Sequence, residues 1–312
     1  MDMTGVREAL ERAGVPGRDL AELPSSTKRF ADGAHWRVEV SGIETTAVLR
    51  ACIDEAKRQR VPFHRAISVV RGATWATRDE LAEFARVAHD ERIEVILTPG
   101  PRPTWYSGRQ IATPEGAVCG MRLRGCEMVA HFVYDVMRAV EIGFRGFLVW
   151  DEGVLMVLNE MKKNGDLPKD VTFKVSIFAG HANAAGAKLL QSLGAGTFNP
   201  IADTSLAALA AMRKAVDIPM DVHVQIFDTW GGMNRFYETP EIARVASPCY
   251  FKMESGTSVG MYAPWGAPEA ALCDLGRLKI KSIRTITEII KDTYPDIKLS
   301  EHGVEGLAVP EP

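Results

Sequence analysis

The chain has 312 residues, 46% apolar and 25% charged, with a net charge of −3. These are ordinary globular values, and a chain this long buries a large core without disulfides or a structural metal. No block of like charge or basic stripe is present, which argues against nucleic acid as a partner, and no apolar run nears the ~20 residues of a membrane span. The five cysteines (Cys52, Cys119, Cys126, Cys249 and Cys273) are odd in number and contain no CxxC pair, as expected of reduced thiols. The opening MDMTGVREALERAG lacks the apolar core of a secretory signal. The expectation is a soluble, cytoplasmic protein with no nucleic-acid or membrane partner.

In chain order, residues 1–34 hold one short helix and then a Pro/Ser-rich stretch. They read as a lid over the bottom of the following domain or as an arm for a homo-oligomer. From 35 to 292, extended apolar segments alternate with segments of helical spacing. The expected strands are 36–41, 62–70, 94–99, 146–151, 173–178, 197–200, 220–227 and 250–255. The expected helices are 43–60, 77–92, 126–142, 152–164, 182–193, 203–216, 238–246 and 269–292. Strict alternation argues for a parallel sheet, and eight repeats match a closed (β/α)8 TIM barrel, an α/β fold, better than an open sheet. Local chemistry marks the helix starts. Ser41 to Glu44 and Thr77 to Glu80 read as capping boxes, Asp203 and Asn183 as N-caps, and Thr239 as an N-cap before Pro240. The tail, 293–312, is polar and reads as peripheral.

Strand parity is the most informative feature, because alternate residues of a barrel strand face the helices and the interior. In 36–41, Trp36, Val38 and Val40 form the apolar face, so Arg37, Glu39 and Ser41 point inward. The same logic puts Lys174 and Ser176, then Asp221, His223 and Gln225, then Lys252 and Glu254, inside. His64 and Ser68 are the inward candidates of the second strand. Buried charge must pair or serve a ligand. An ion-pair network that merely fills the barrel is the alternative for the deeper residues Arg37 and Lys174, and less so for Asp151 and Glu254, which lie at the strand ends where barrel active sites sit.

The connection 99–125 is long for a compact domain, and loops of that length are usually lids or binding loops. It carries Arg102, Arg109, Arg122 and Arg124 with a single acid, Glu115, and guanidinium forks suit carboxylate or phosphate. Three chemistries are open. Glu39, Asp151, His223 and Glu254 come from four strands and offer a site for one divalent metal, Mg²⁺, Mn²⁺ or Zn²⁺. Lys174 or Lys252 is a candidate Schiff-base lysine, with Glu39 or Glu254 moving protons. Cys119 and Cys126, with six residues between them, are the thiol candidates, and the other cysteines read as core fillers. His64, His181, Asn183 and Gln225 join Arg102, Arg122 and Arg124 as candidate substrate contacts.

Several strings are similar to one family: LPSSTKRFADGAHWRVEV at 23–40, VPFHR at 61–65, GPR at 100–102, RLRG at 122–125, DEG at 151–153, KVS at 174–176, AN at 182–183 and LGAGT at 193–197. Across residues 20–260 the chain resembles bacterial proteins known as collagenase-like peptidases of unassigned catalytic type. The resemblance implies a barrel and a hydrolase. It also brings in a wider group, some of whose members hold a four-cysteine iron–sulfur cluster and hydroxylate RNA or quinone precursors. No second cysteine pair follows Cys126 at that spacing, so no cluster is expected. The residues themselves favour a small-molecule enzyme acting on a carboxylate- or phosphate-bearing substrate, with lyase or aldolase chemistry next to a carbonyl. A hydrolase, and a non-catalytic barrel whose charges are structural, are the alternatives.

Overall fold

The structure is a computed structural model and describes residues 2–70, 72–100, 110, 113, 115–263 and 265–312, leaving out the side chains of 118 and 119. Eight strands close into one barrel in sequence order, each parallel to its neighbours. They are β1 (Trp36–Ile43), β2 (Arg65–Ser68), β3 (Glu94–Leu97), β4 (Gly146–Val149), β5 (Thr172–Val175), β6 (Thr197–Phe198), β7 (Met220–Gln225) and β8 (Cys249–Met253). The helices are α1 (Met3–Arg12), α2 (Thr46–Gln59), α3 (Arg78–Asp90), α4 (Gly125–Ile142), α5 (Glu152–Asn164), α6 (Ala184–Ser192), α7 (Leu206–Ala215), α8 (Thr239–Ala246) and α9 (Glu269–Thr293). This is the (β/α)8 TIM barrel expected from the alternation. Among the described residues no helix is long and apolar enough to cross a membrane.

The apolar core lies between barrel wall and helices. Val38, Val40, Val222, Val224, Phe251 and Met253 form one buried cluster with Val48, Leu49 and Cys52 of α2 and Ile280, Ile283 and Ile286 of α9. The helix starts follow local chemistry in part. Thr77 and Glu80 make the full capping box, and Asn183 caps α6 by accepting from the Gly186 amide at 2.9 Å. Three expectations are corrected. Ser41 lies inside β1 and Thr45 caps α2, because the strand runs two residues further than its apolar alternation. Ser205 rather than Asp203 caps α7, and Thr239 is already the first residue of α8.

Both termini close the bottom of the barrel. The extension runs along α7 and α8 to the bottom, tied by the Leu20 amide to the Ala207 carbonyl (3.1 Å), the Ser26 amide to the Arg244 carbonyl (2.9 Å) and Lys28 Nζ to the Val216 carbonyl (2.6 Å). The tail is not peripheral. It pairs at Leu299 with Trp36, meets Val95 through the Ala308 carbonyl (3.3 Å), and reaches the Gly143 carbonyl through the Glu311 amide (2.8 Å). Such backbone pairing leaves no periodicity in a polar sequence.

At the other end, β1 shifts register between Ser41 and Ile43. The residue between them, Gly42, has φ +81°, and a Cβ there would stand 2.3 Å from the Tyr262 ring. Lys279, buried on α9, fastens the spot by donating to the Ser41 carbonyl (2.8 Å) and to Tyr262 Oη (2.7 Å). Gly42→Ala is expected to lower stability by about 2–4 kcal/mol, from left-handed strain plus overpacking, read as the denaturant midpoint at unchanged slope.

Candidate active site

The interior is charged in two layers. In the deep layer Arg65 of β2 reaches Glu39 (3.0 Å), Asp221 (3.0 Å) and Glu94 (2.9 Å) and stacks 3.5 Å from the Tyr250 ring centroid. Lys174 pairs with Asp221 and, at 3.0 Å, with Glu39. Thr197 donates to Asp221 at 2.6 Å and Tyr250 to Glu94 at 3.1 Å. All of these side chains are buried. Burial alone would push the Glu39 carboxyl up, but Lys174, Lys252 and Arg65 overcome it and hold the group at about 2. For Asp221, burial outweighs Lys174 and Arg65, with Glu39 repelling, and raises the carboxyl. For Lys174, burial outweighs its two acids and lowers the ammonium.

Counting Arg37 beneath, the described interior sets Arg37, Arg65, Lys174 and Lys252 against Glu39, Glu94, Asp221 and Glu254. All but Arg37 have an opposite charge of this set within 3.3 Å, which satisfies for them the requirement that buried charge be paired.

The upper layer is different. Glu254, just past β8, accepts from Ser41 (2.6 Å) and from His223 Nε2 (2.8 Å), and lies 3.3 Å from Lys252 Nζ. Burial opposes ionisation of Glu254, yet Lys252 and His223 hold it well below the usual carboxylate range. Burial would also lower Lys252, but Glu254 and Glu39 win and keep it an ammonium. Burial lowers His223 from 6.5, against its hydrogen bond to Glu254 and with Lys252 repelling. A neutral imidazole facing an acceptor-only carboxylate carries its proton on Nε2. Its Nδ1 lone pair is then left over, and that atom has no hydrogen-bond partner. The same holds for Asn199 Oδ1, Gln225 Oε1 and Thr98 Oγ1, at the C-terminal ends of β6, β7 and β3. Buried polar atoms without partners are rare; besides these four at strand ends, Glu39 Oε1, Arg65 Nε and Ser68 Oγ of the strands below also lack one.

On the rim, Glu152 at the start of α5 accepts from Arg122 (3.2 Å) and lies 2.7 Å from His181 Nε2. Arg122 also donates to the Trp150 carbonyl (2.8 Å), and Arg124 donates to the Arg122 carbonyl. Arg122 and His181 are thus on the mouth face, whereas Asn183 spends its side-chain oxygen on α6. Arg102 and Arg109 lie outside the described residues, as does the Cys119 side chain; Cys126 is exposed on α4.

Two assignments are corrected. His64 is at the bottom, accepting from the Val38 amide at 3.1 Å and contacting the Ser300 carbonyl at 3.1 Å. Arg65 faces inward instead, because β2 starts later and in the opposite parity to that expected. Asp151 does not join His223 and Glu254 in a metal site. Its carboxylate caps α5 through Gly153 and Val154 and accepts from the Leu123 amide. Both Glu254 oxygens are engaged too, with Lys252 standing where a cation would neutralise them. Among the described residues no three His, Cys, Asp or Glu side chains converge on a metal position.

Sequence reasoning missed Arg65, Glu94, Thr98, Asn199 and Glu152 as parts of the interior or rim. The alternation of Glu94, Ile96 and Thr98 around inward Ile96 was the available signal. For β6, only two residues long, alternation carries none.

No family model and no curated protein matches the chain. Among solved structures it is similar to the YdjI aldolase from Escherichia coli K12, with 13% identity, TM-score 0.48, and 82% of this chain and 90% of that one covered. D-psicose 3-epimerase from Clostridium cellulolyticum H10 matches at 13% identity and TM-score 0.45 (80% and 98%), and the U32 peptidase Mk0906 at 15% and 0.41 (74% and 94%).

Glu39, held at about 2 against an ordinary 4.5, stabilises the fold above pH 4.5, and that contribution is lost as pH falls from 4.5 through 2. Glu39→Gln is therefore expected to be less stable at pH 7, by about 3–5 kcal/mol for breaking a buried pair. Its deficit against the parent should shrink toward pH 2 in a series of urea titrations.

Proposed function

We propose that the protein is an enzyme that moves a proton beside the carbonyl group of a small carboxylate- or phosphate-bearing molecule, in a reaction of lyase or aldolase type. The observation that carries this reading is the His223–Glu254 pair, with Nε2 engaged, Nδ1 free of a partner, and the Lys252 ammonium alongside. A carboxylate that fixes the tautomer of a neutral imidazole makes the other nitrogen a directed base. In the cleavage direction, His223 Nδ1 takes the proton of a hydroxyl β to the carbonyl. The carbon–carbon bond breaks, and its electron pair moves to the carbonyl oxygen. Lys252 stabilises the resulting enolate as a charged donor. The proton on His223 then returns to the enolate carbon. Asn199, Gln225 and Thr98 supply hydrogen bonds to the substrate, and Arg122 exchanges Glu152 for its anionic group.

Lys252 suits this role better than Schiff-base formation, because its acids keep it protonated. Lys174 is committed to Asp221 and Glu39 below.

The test is deuterium incorporation from D2O next to the carbonyl of a panel of 2-keto acids and their aldol adducts, followed by NMR. His223→Ala and Glu254→Gln should each lower the rate by ~10²–10⁴. Exchange as fast in His223→Ala as in the parent, or none with any of the panel, sinks the reading. Because His223 lies below 6.5, its base form is complete at neutral pH, and kcat/KM should fall only as pH drops through that lowered value. Arg122→Ala should raise KM about tenfold or more with kcat nearly unchanged, the signature of lost uniform binding.

A further inference from the structure

Arg37 is an inward cation that takes no part in the mouth chemistry and has no carboxylate of the deep layer as partner. It is 4% exposed, near the bottom of β1, with its guanidinium 4.1 Å from the Phe30 ring centroid. Its Nε donates to Ser300 Oγ (3.0 Å) and its Nη1 to Tyr250 Oη (3.4 Å), both neutral groups. The carboxylate paired with it is Asp32, 3.8 Å from Nη2, and that same oxygen accepts from the Ala34 amide. Arg65 in the next layer has three carboxylates within 3.0 Å. A buried guanidinium presents five N–H donors, and one so weakly neutralised is costly unless a further anion serves it.

Space for that anion exists beside it. A cavity of about 370 Å³ opens at the barrel bottom, lined by Phe30, Arg37, Tyr250 and, from the tail, Leu307, and by the carboxylates Glu94 and Asp170, which are paired with Arg65 and Arg145. It lies between the extension and the tail, at the opposite end of the barrel from His223 and Glu254. Its volume suits a small molecule. Its polar groups converge from β1, β2, β3 and β8, and Phe30 and Leu307 add apolar wall.

We propose that this cavity is a binding site for a small oxyanion, a phosphate or carboxylate group, held by Arg37. The anion completes the donor set of Arg37 and competes with Asp32 for it. The tail, which forms one wall, is stabilised when the site is filled. The site is independent of the reading of the mouth.

The experiment is thermal unfolding and calorimetric titration of the full chain with inorganic phosphate and, in a second arm, malonate, against chloride at matched ionic strength. A saturable rise of about 2 °C or more over chloride is expected. Arg37→Gln should weaken binding at least about tenfold, and Asp32→Asn, which removes the competing carboxylate, should tighten it. An unchanged affinity in Arg37→Gln, or no saturable response to either anion, overturns the proposal. Should Arg37→Gln not fold, Asp32→Asn decides: tighter binding supports the site, and equal or weaker binding overturns it. Deuterium exchange at the mouth, measured in the same samples, separates failure here from failure of the proposed reaction.

Discussion

The structure depends on balanced charge inside a closed barrel. Barrels are usually filled by branched aliphatic side chains in layers. Here Glu39, Asp221 and Glu94 surround Arg65, and Lys174 sits between the first two. Such a core is stable only when complete, because removing one partner strands the others in low dielectric. It also directs the side chains above it. Lys252 stands 3.7 Å from Glu39 and 3.3 Å from Glu254, linking the deep layer to the mouth.

The contrast between the layers gives the site its meaning. Below, Arg65, Lys174, Glu39, Glu94 and Asp221 each have an opposite charge within 3.0 Å. Above, His223 Nδ1, Asn199 Oδ1, Gln225 Oε1 and Thr98 Oγ1 end without partners, and burial, against the pull of Glu254, keeps the imidazole neutral. The β1 bulge contributes as well. Gly42 lets Tyr262 pack onto the strand, Lys279 ties both to α9, and the neighbouring Ser41 turns its hydroxyl to Glu254. A helix on the outside of the barrel thereby helps position a carboxylate inside it.

The ends of the chain perform a second task. Extension and tail converge under the barrel and enclose the cavity beside Arg37. His64 belongs to this closure, joining the backbones of β1 and the tail. A histidine next to a strand of inward charges reads as a site residue in one dimension, and only the start of β2 decides otherwise.

The sequence by itself determined the class of fold, since eight alternations of strand and helix spacing admit few other arrangements. It also determined that Arg37, Glu39, Lys174, His223, Lys252 and Glu254 are inside, because long strands such as β1, β7 and β8 show clear period-two alternation and amphipathic helices claim the apolar face. The shortest strands carry too few residues for parity, so Arg65 and Asn199 were decided only by tertiary structure. The same is true of pairing. Whether Asp151 ligates, caps or catalyses depends on which amides it accepts from, and those of Leu123, Gly153 and Val154, at 3.0–3.3 Å, take it as a cap. Spacing records which side chains can meet; the closed barrel brings strands 1, 5, 7 and 8 together and so decides which of them do.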